Sequence, residues 1–385
     1  MAGLLVGCGG GDERDPGGPP PTAMLSGTVR EVGSQSVIAG ATVMVGSNSA
    51  TTTETGHFEL LNVPVGSVNI IVTANRFESD TKNITVNAGV NTVDIFLTIR
   101  TFYSRGDILA FLPPGVSTFR GAIFFLPGFN NDSRPLVRGE ASLPGCLDWC
   151  GAIRTELRQR AVLLAETHGL ALFGMKHMPN DANTWDEMLA AVTNIAAQSG
   201  RPDLAQVPLL LVGHSAGGCL AYSFTRVHSD RVIGFMSGKG QCHAPSDAGP
   251  LGARSVPAYF FIGEDDLASR LENITTVFEE NRALGALWAV AIELGTGHAV
   301  LLDVGLQITW MDAVLGMRLP DSAGAGALRP MTEASGWLGN RSTSAIAEYV
   351  CYNDNKLVAS WLPSEQTARD WQALVGAGTQ TVISC

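Results

Sequence analysis

Polar and apolar residues follow two different rhythms along this chain. From Ala23 to about Ile99 the period is two, as in Val68-Asn69-Ile70-Ile71-Val72 and Thr92-Val93-Asp94-Ile95-Phe96-Leu97. Turn residues break the pattern at roughly eight- to twelve-residue intervals. A strand sends successive side chains to opposite faces, so residues 23–99 are expected to form a small all-β sandwich. From Arg100 onward, continuous apolar runs (122–126, 170–174, 207–212, 232–236, 258–262 and 287–292) predict strands buried on both faces. Between them apolar residues recur at helical spacing: Ile153, Leu157, Ala161 and Leu164; Trp185, Met188, Leu189, Val192 and Ile195; Ala216, Leu220, Phe224 and Val227; Leu271, Ile274, Val277 and Phe278. Strands alternating with helices imply an α/β fold whose mainly parallel sheet is covered on both faces, with ligands bound beyond the strands' C-terminal ends. This α/β domain is expected over 100–385. Its last part, 318–385, reads as an extension that either packs on the sheet or covers its ligand-binding end.

Composition narrows the field. The 385 residues are 45% hydrophobic and 16% charged, which excludes wholesale disorder. A net charge of −11 with 25 Lys+Arg argues against nucleic-acid binding. No apolar run approaches the ~18 residues of a membrane span. Residues 1–22 mix Gly, Pro and charge and read as a flexible tether.

The candidate chemistry centres on Gly213-His214-Ser215-Ala216-Gly217. It stands between an apolar strand and a helix, which is the setting of a nucleophile elbow. A serine hydroxyl is a weak nucleophile until a base, itself oriented by an acid, takes its proton. Two further loops follow buried strands: Gly263-Glu264-Asp265-Asp266 and Gly295-Thr296-Gly297-His298. With these residues in place, positions of roughly 105–318 resemble the α/β-hydrolase superfamily, in its serine-esterase branches of cutinase, polyester-hydrolase and feruloyl-esterase type. The resemblance implies Ser215 as nucleophile, His298 as base and Asp266 as acid, with Asp265 the alternative and Glu264 third. It further implies an oxyanion hole from the backbone N–H groups of Ala216 and of Phe129 in Pro127-Gly128-Phe129. Phe129, Trp149, Trp185 and His214 are candidate substrate contacts. His214 belongs to the elbow but is turned from the nucleophile. His177 and His243 follow strands and could line the pocket, while His168 and His228 fall at helix ends. Trp310 is expected to pack in the core. No nucleotide, zinc or calcium motif is present, so no cofactor or metal is expected.

Within the β region, Leu25-Ser26-Gly27-Thr28-Val29, Gly40-Ala41-Thr42-Val43 and Gly56-His57-Phe58 resemble the carboxypeptidase regulatory-like domain, a transthyretin-like sandwich. Such modules serve as spacers or binding appendages. Gly56 and Gly66 read as turn glycines and His57 as structural.

Leu5-Val6-Gly7-Cys8 resembles a bacterial lipobox, which implies lipidation of Cys8 and an outer-membrane lipoprotein or a secreted protein. Only seven residues, none basic, precede Cys8, so either the true start lies upstream or the match is accidental. A lipidated Cys8 would leave six of the seven cysteines for disulfides, for which 146–150, 219–242 and 351–385 are plausible among fifteen connectivities. The leading expectation is an exported, monomeric serine esterase acting on small or polymeric esters. Its membrane contact would come only through the anchor. A peptidase or amidase on the same machinery, and a non-catalytic surface binder, are the alternatives.

Overall fold

The computed structural model describes residues 21–140, 151–241, 251–299, 303–320, 327–376 and 381–385, with only the backbone described at 151–153 and 251. The chain divides into two units, Met1–Arg100 and Thr101–Cys385. Cys8, Cys146, Trp149, Cys150, Cys242 and His243 lie outside the described residues.

Among the described residues the first unit contains eight strands: β1 (Thr22–Glu31), β2 (Thr42–Val45), β3 (Asn48–Thr51), β4 (His57–Pro64), β5 (Gly66–Thr73), β6 (Asp80–Val86), β7 (Val90–Thr92) and β8 (Ile95–Leu97). They form two sheets, one ordered β4-β1-β7 with β8 also on β1, the other β3-β2-β5-β6. The period-two pattern explains the sandwich: Leu25, Val29, Phe58, Leu60, Ile70 and Val72 all point into one core while their neighbours face outward. Gly56 has φ +74°, a left-handed conformation that a side chain would strain, as expected of a turn glycine.

The second unit opens with β9 (Phe102–Arg105), β10 (Ile108–Phe111), β11 (Gly121–Leu126), α1 (Arg134–Arg138), α2 (Gly151–His168), β12 (Leu170–Met175) and α3 (Ala182–Ser199). It continues with β13 (Leu209–His214), α4 (Ala216–Val227), β14 (Val232–Gly238), α5 (Leu251–Arg254), β15 (Ala258–Gly263), α6 (Ala268–Arg282), β16 (Trp288–Glu293) and α7 (Val304–Arg318). Eight strands join in one sheet ordered β16-β15-β14-β13-β11-β12-β10-β9. All pairs from β12 through β16 are parallel; only β9 and β10 are antiparallel. This is the α/β-hydrolase fold. The apolar runs are continuous because both faces are covered. Phe124, Leu211 and Phe260 pack with α3, α4 and α6, whereas Phe125, Leu210 and Phe261 pack with α2 and α7. The chain order reverses where β11 lies between β12 and β13, and the crevice beyond that point is where such sheets bind ligands.

The remaining residues form β17 (Trp337–Gly339), β18 (Ile346–Glu348), β19 (Ser360–Leu362), α8 (Glu365–Val375) and β20 (Val382–Ile383). This extension packs on the edge of the main sheet. Trp371 Nε1 donates to the Val290 carbonyl at 2.8 Å, and Ser360 Oγ accepts from the Val290 N–H at 3.2 Å. Both contacts occupy the outer rim of β16, which would otherwise be an open strand edge. Cys351 and Cys385 form a disulfide within this segment, and Cys219 is also disulfide-bonded. Among the described residues no helix is long and apolar enough to cross a membrane.

Candidate active site

Ser215 sits between β13 and α4 at φ 53° and ψ −119°, a conformation that ordinarily costs a non-glycine residue strain energy. Its surroundings hold it there. The Ser215 N–H donates to the Gly238 carbonyl at the end of β14 (2.7 Å), and its carbonyl accepts from Cys219 N–H (3.1 Å). The turn also depends on absent side chains. A Cβ on Gly213 would stand 2.1 Å from the Gly217 carbonyl oxygen, and one on Gly217 would stand 1.9 Å from that of Leu126. Helix α4 therefore starts directly against the end of β11. Ser215 occupies the N-cap position, yet its hydroxyl makes no capping bond and is left for another partner.

That partner is His298, whose Nε2 lies 2.9 Å from Ser215 Oγ. On its other side Nδ1 lies 2.9 Å from Asp266 Oδ2. A carboxylate only accepts, so Nδ1 carries the proton and Nε2 is free to accept from the serine hydroxyl. The Asp266 side chain is 3% exposed and that of His298 38% exposed. Burial would raise the Asp266 pKa, but the bond from His298, the Leu267 N–H and the Arg270 charge outweigh it and hold the carboxyl below its ordinary value. Desolvation pulls the His298 pKa down against the opposing pull of Asp266, and the nearby Arg270 and His214 depress it further, so the free imidazole is favoured.

Of the three carboxylates in the acid loop, only Asp266 reaches the histidine. Glu264 Oε2 instead accepts the Gly295 N–H at 2.8 Å, and Asp265 is exposed and gives its backbone N–H to the Thr296 carbonyl at 2.8 Å. Arg270, one helical turn beyond Asp266, forms an ion pair with its Oδ1. The sequence reading missed it, although the i,i+4 spacing was a usable signal.

The backbone N–H groups of Ala216 and Phe129 make no hydrogen bond among the described residues. Ala216 is the first residue of α4, where amides point forward unpaired and the helix dipole favours negative charge. The Phe129 ring is 66% exposed and meets His177 edge-on at 5.0 Å.

Two candidate substrate contacts fall elsewhere. His214 is 2% exposed; its Nε2 donates to the His298 carbonyl at 3.1 Å, so it lies under the histidine loop and not on a cleft wall. Trp185, in the first turn of α3, packs on the core and meets His228 edge-on at 6.3 Å, past the far end of α4. About three turns of helix separate it from Ser215. His168 pairs with Asp312 at 2.6 Å, and Trp310 is fully buried. A cavity of about 900 Å³ lies between α6, β16 and the extension, and none of Ser215, Asp266 or His298 lines it. Among the described residues no group of three His, Cys, Asp or Glu side chains could hold a metal ion.

Comparison with known proteins adds a family to the first unit. Residues 24–98 match the family model of the carboxypeptidase regulatory-like domain. No curated protein matches the chain. Among solved structures, the chain is similar to esterase PE8 at 14% identity, covering 56% of this chain and 100% of that one with a TM-score of 0.38. It is similar to the feruloyl esterase module from Clostridium thermocellum, complexed with sinapinate, at 12% identity, covering 56% and 84% with a TM-score of 0.38. A type II cohesin–X-dockerin complex from Acetivibrio cellulolyticus matches at 22% identity over 20% of this chain with a TM-score of 0.18, and the chain spans 56% of its length.

Proposed function

We propose that the second unit is a serine hydrolase of carboxylic esters working through an acyl-enzyme. The observation that carries this reading is the unbroken pair of 2.9 Å contacts from Asp266 through His298 to Ser215. As Ser215 Oγ attacks the acyl carbon, His298 Nε2 takes its proton, and the buried Asp266 carboxylate stabilises the imidazolium. The Ala216 and Phe129 N–H groups then face the negative oxygen of the tetrahedral intermediate, with the N-terminus of α4 adding its dipole. Collapse of the intermediate expels the alcohol, which receives the proton from His298. Water attacks the acyl-enzyme by the same route in reverse.

Phe129, 66% exposed, and Leu267, 59% exposed and next to Asp266, give the surroundings an apolar character suited to aryl or polymeric esters. The Cys351–Cys385 disulfide fits an oxidising compartment, in line with export and an anchor at Cys8.

The test is hydrolysis of a short-chain p-nitrophenyl ester by the wild type and by Ser215→Ala. Turnover should fall on the order of 10⁵-fold in the variant, with folding unchanged. A well-folded wild type without turnover, or a variant that keeps it, rejects the reading.

A further inference from the structure

Directly after β14, Lys239 is a lysine with no exposed side-chain surface, paired at 2.7 Å with Glu293, which is 3% exposed. Its backbone has φ +55°, a left-handed value unusual for a side-chain-bearing residue. A buried ion pair usually offers no stability over an apolar pair of the same size, so stability alone does not account for a strained, buried lysine here. Its bonds suggest what does.

We propose that the Lys239–Glu293 pair is a positioning device that sets His298 against both Ser215 and Asp266, an inference that rests on the hydrolase reading above. Three connections converge on Gly238 and Lys239. The carbonyl of the preceding residue, Gly238, accepts the N–H of Ser215 at 2.7 Å. The Lys239 N–H donates to Phe261 O, at 2.9 Å, in the strand that leads to the acid loop. The Lys239 Nζ, besides meeting Glu293, donates to Thr296 Oγ1 at 3.3 Å, two residues before His298. Thr296 Oγ1 in turn donates to the Glu293 carbonyl at 3.0 Å, and the Thr296 carbonyl accepts the Asp265 N–H at 2.8 Å. The nucleophile turn and the strand before the acid loop are thus tied to the backbone of residues 238 and 239, and the buried ammonium carried on that backbone ties in the base loop. None of Lys239, Glu293 and Thr296 touches the reacting atoms; each acts through His298.

The experiment compares the full-length wild type with the charge-free double variant Lys239→Met/Glu293→Gln and with Thr296→Val and Thr296→Ser. Single removal of one charge is avoided, because it would strand the other in the interior. Folding is checked by circular dichroism. In the double variant kcat for a p-nitrophenyl ester should fall by about 10- to 100-fold with KM within about twofold, the signature of misplacement at the reacting centre. Thr296→Val should lower kcat by several-fold, and Thr296→Ser, which keeps the hydroxyl, should restore it. The imidazole ¹⁵N spectrum of His298 gives a second readout that needs no turnover. The wild type should show distinct protonated and unprotonated nitrogens, and both the double variant and Thr296→Val should shift toward tautomer averaging. Wild-type kcat with an unchanged His298 spectrum in these variants overturns the proposal, as does a loss confined to KM. If the double variant does not fold, the two Thr296 variants decide by the same criteria. If the wild type itself hydrolyses no ester, the functional reading fails, and the His298 spectrum still decides the positioning role.

Discussion

At the scale of single residues, the proposed reaction depends on which form of His298 is present. Its pKa is held below the ordinary histidine value by desolvation first, with Arg270 and His214 adding to the effect. A protonated imidazole cannot accept the serine proton, so activity should rise with pH through a midpoint below the usual histidine range. Asp266, held low as well, stays ionised across that rise. Arg270→Gln removes a positive charge that disfavours imidazolium and also leaves Asp266 with its full negative charge. Both changes raise the histidine pKa, so the acid limb of the kcat/KM profile should move to higher pH while activity near pH 8 changes little. A limb that stays in place or moves down contradicts this electrostatic assignment. Ser215, Asp266 and His298, which the structure brings together, could be singled out as candidates in the sequence because each follows a buried strand in a short glycine-bearing loop. Trp185 and His214 could not be placed in the same way: a residue type at a loop or helix start carries no information about which way the side chain turns. Lys239 was missed for a related reason, since a lysine after a strand ordinarily reaches solvent.

At the scale of elements, the turn at Ser215 is tight because a strand and a helix meet with nothing between them. The Leu126 carbonyl stands where a Cβ on Gly217 would be, only 1.9 Å away, and that oxygen belongs to backbone in the centre of the sheet. Gly217→Ala must therefore push α4 away from β11, which shifts the Ala216 N–H relative to Phe129 and rotates Ser215 off His298. The expected outcome is a loss of kcat of at least about 100-fold, together with a lower melting temperature, since overpacking costs about 1–3 kcal/mol. Kinetics and calorimetry on the purified variant check both. The six strands β11 to β16 were legible because burial on both faces turns them into unbroken apolar runs. β9, β10 and α1 were not, being only four or five residues long and too short to show a period. The extension's location was undecided in sequence because its apolar residues Trp361 and Trp371 suit a lid and an edge cover equally. The bond from Trp371 to Val290 on the rim of β16 settles its place on the sheet edge.

At the scale of the whole molecule, the division at Arg100 separates the sandwich core from the buried clusters of the second unit, with no buried residue in common among the described residues. The sandwich buries its own apolar face, from Leu25 through Leu97, and the second unit supplies the proposed nucleophile, acid and base and both candidate oxyanion donors by itself. The change from period two to helical period marked this boundary in the sequence, because burial on one face and burial on two leave different patterns. A chain beginning at Thr101 should therefore fold and hydrolyse a soluble p-nitrophenyl ester with kcat/KM within about twofold of full length, as expected for units that do not share a core. If the sandwich serves as a binding appendage, its removal should instead lower the rate on an insoluble polyester, where retention at a surface adds to the effective substrate concentration. Assaying both forms on both substrates separates the roles. Equal rates on the polymer would deny the module any part in substrate capture, and a collapse of soluble-ester turnover would show that the catalytic unit needs residues 1–100 to hold its shape.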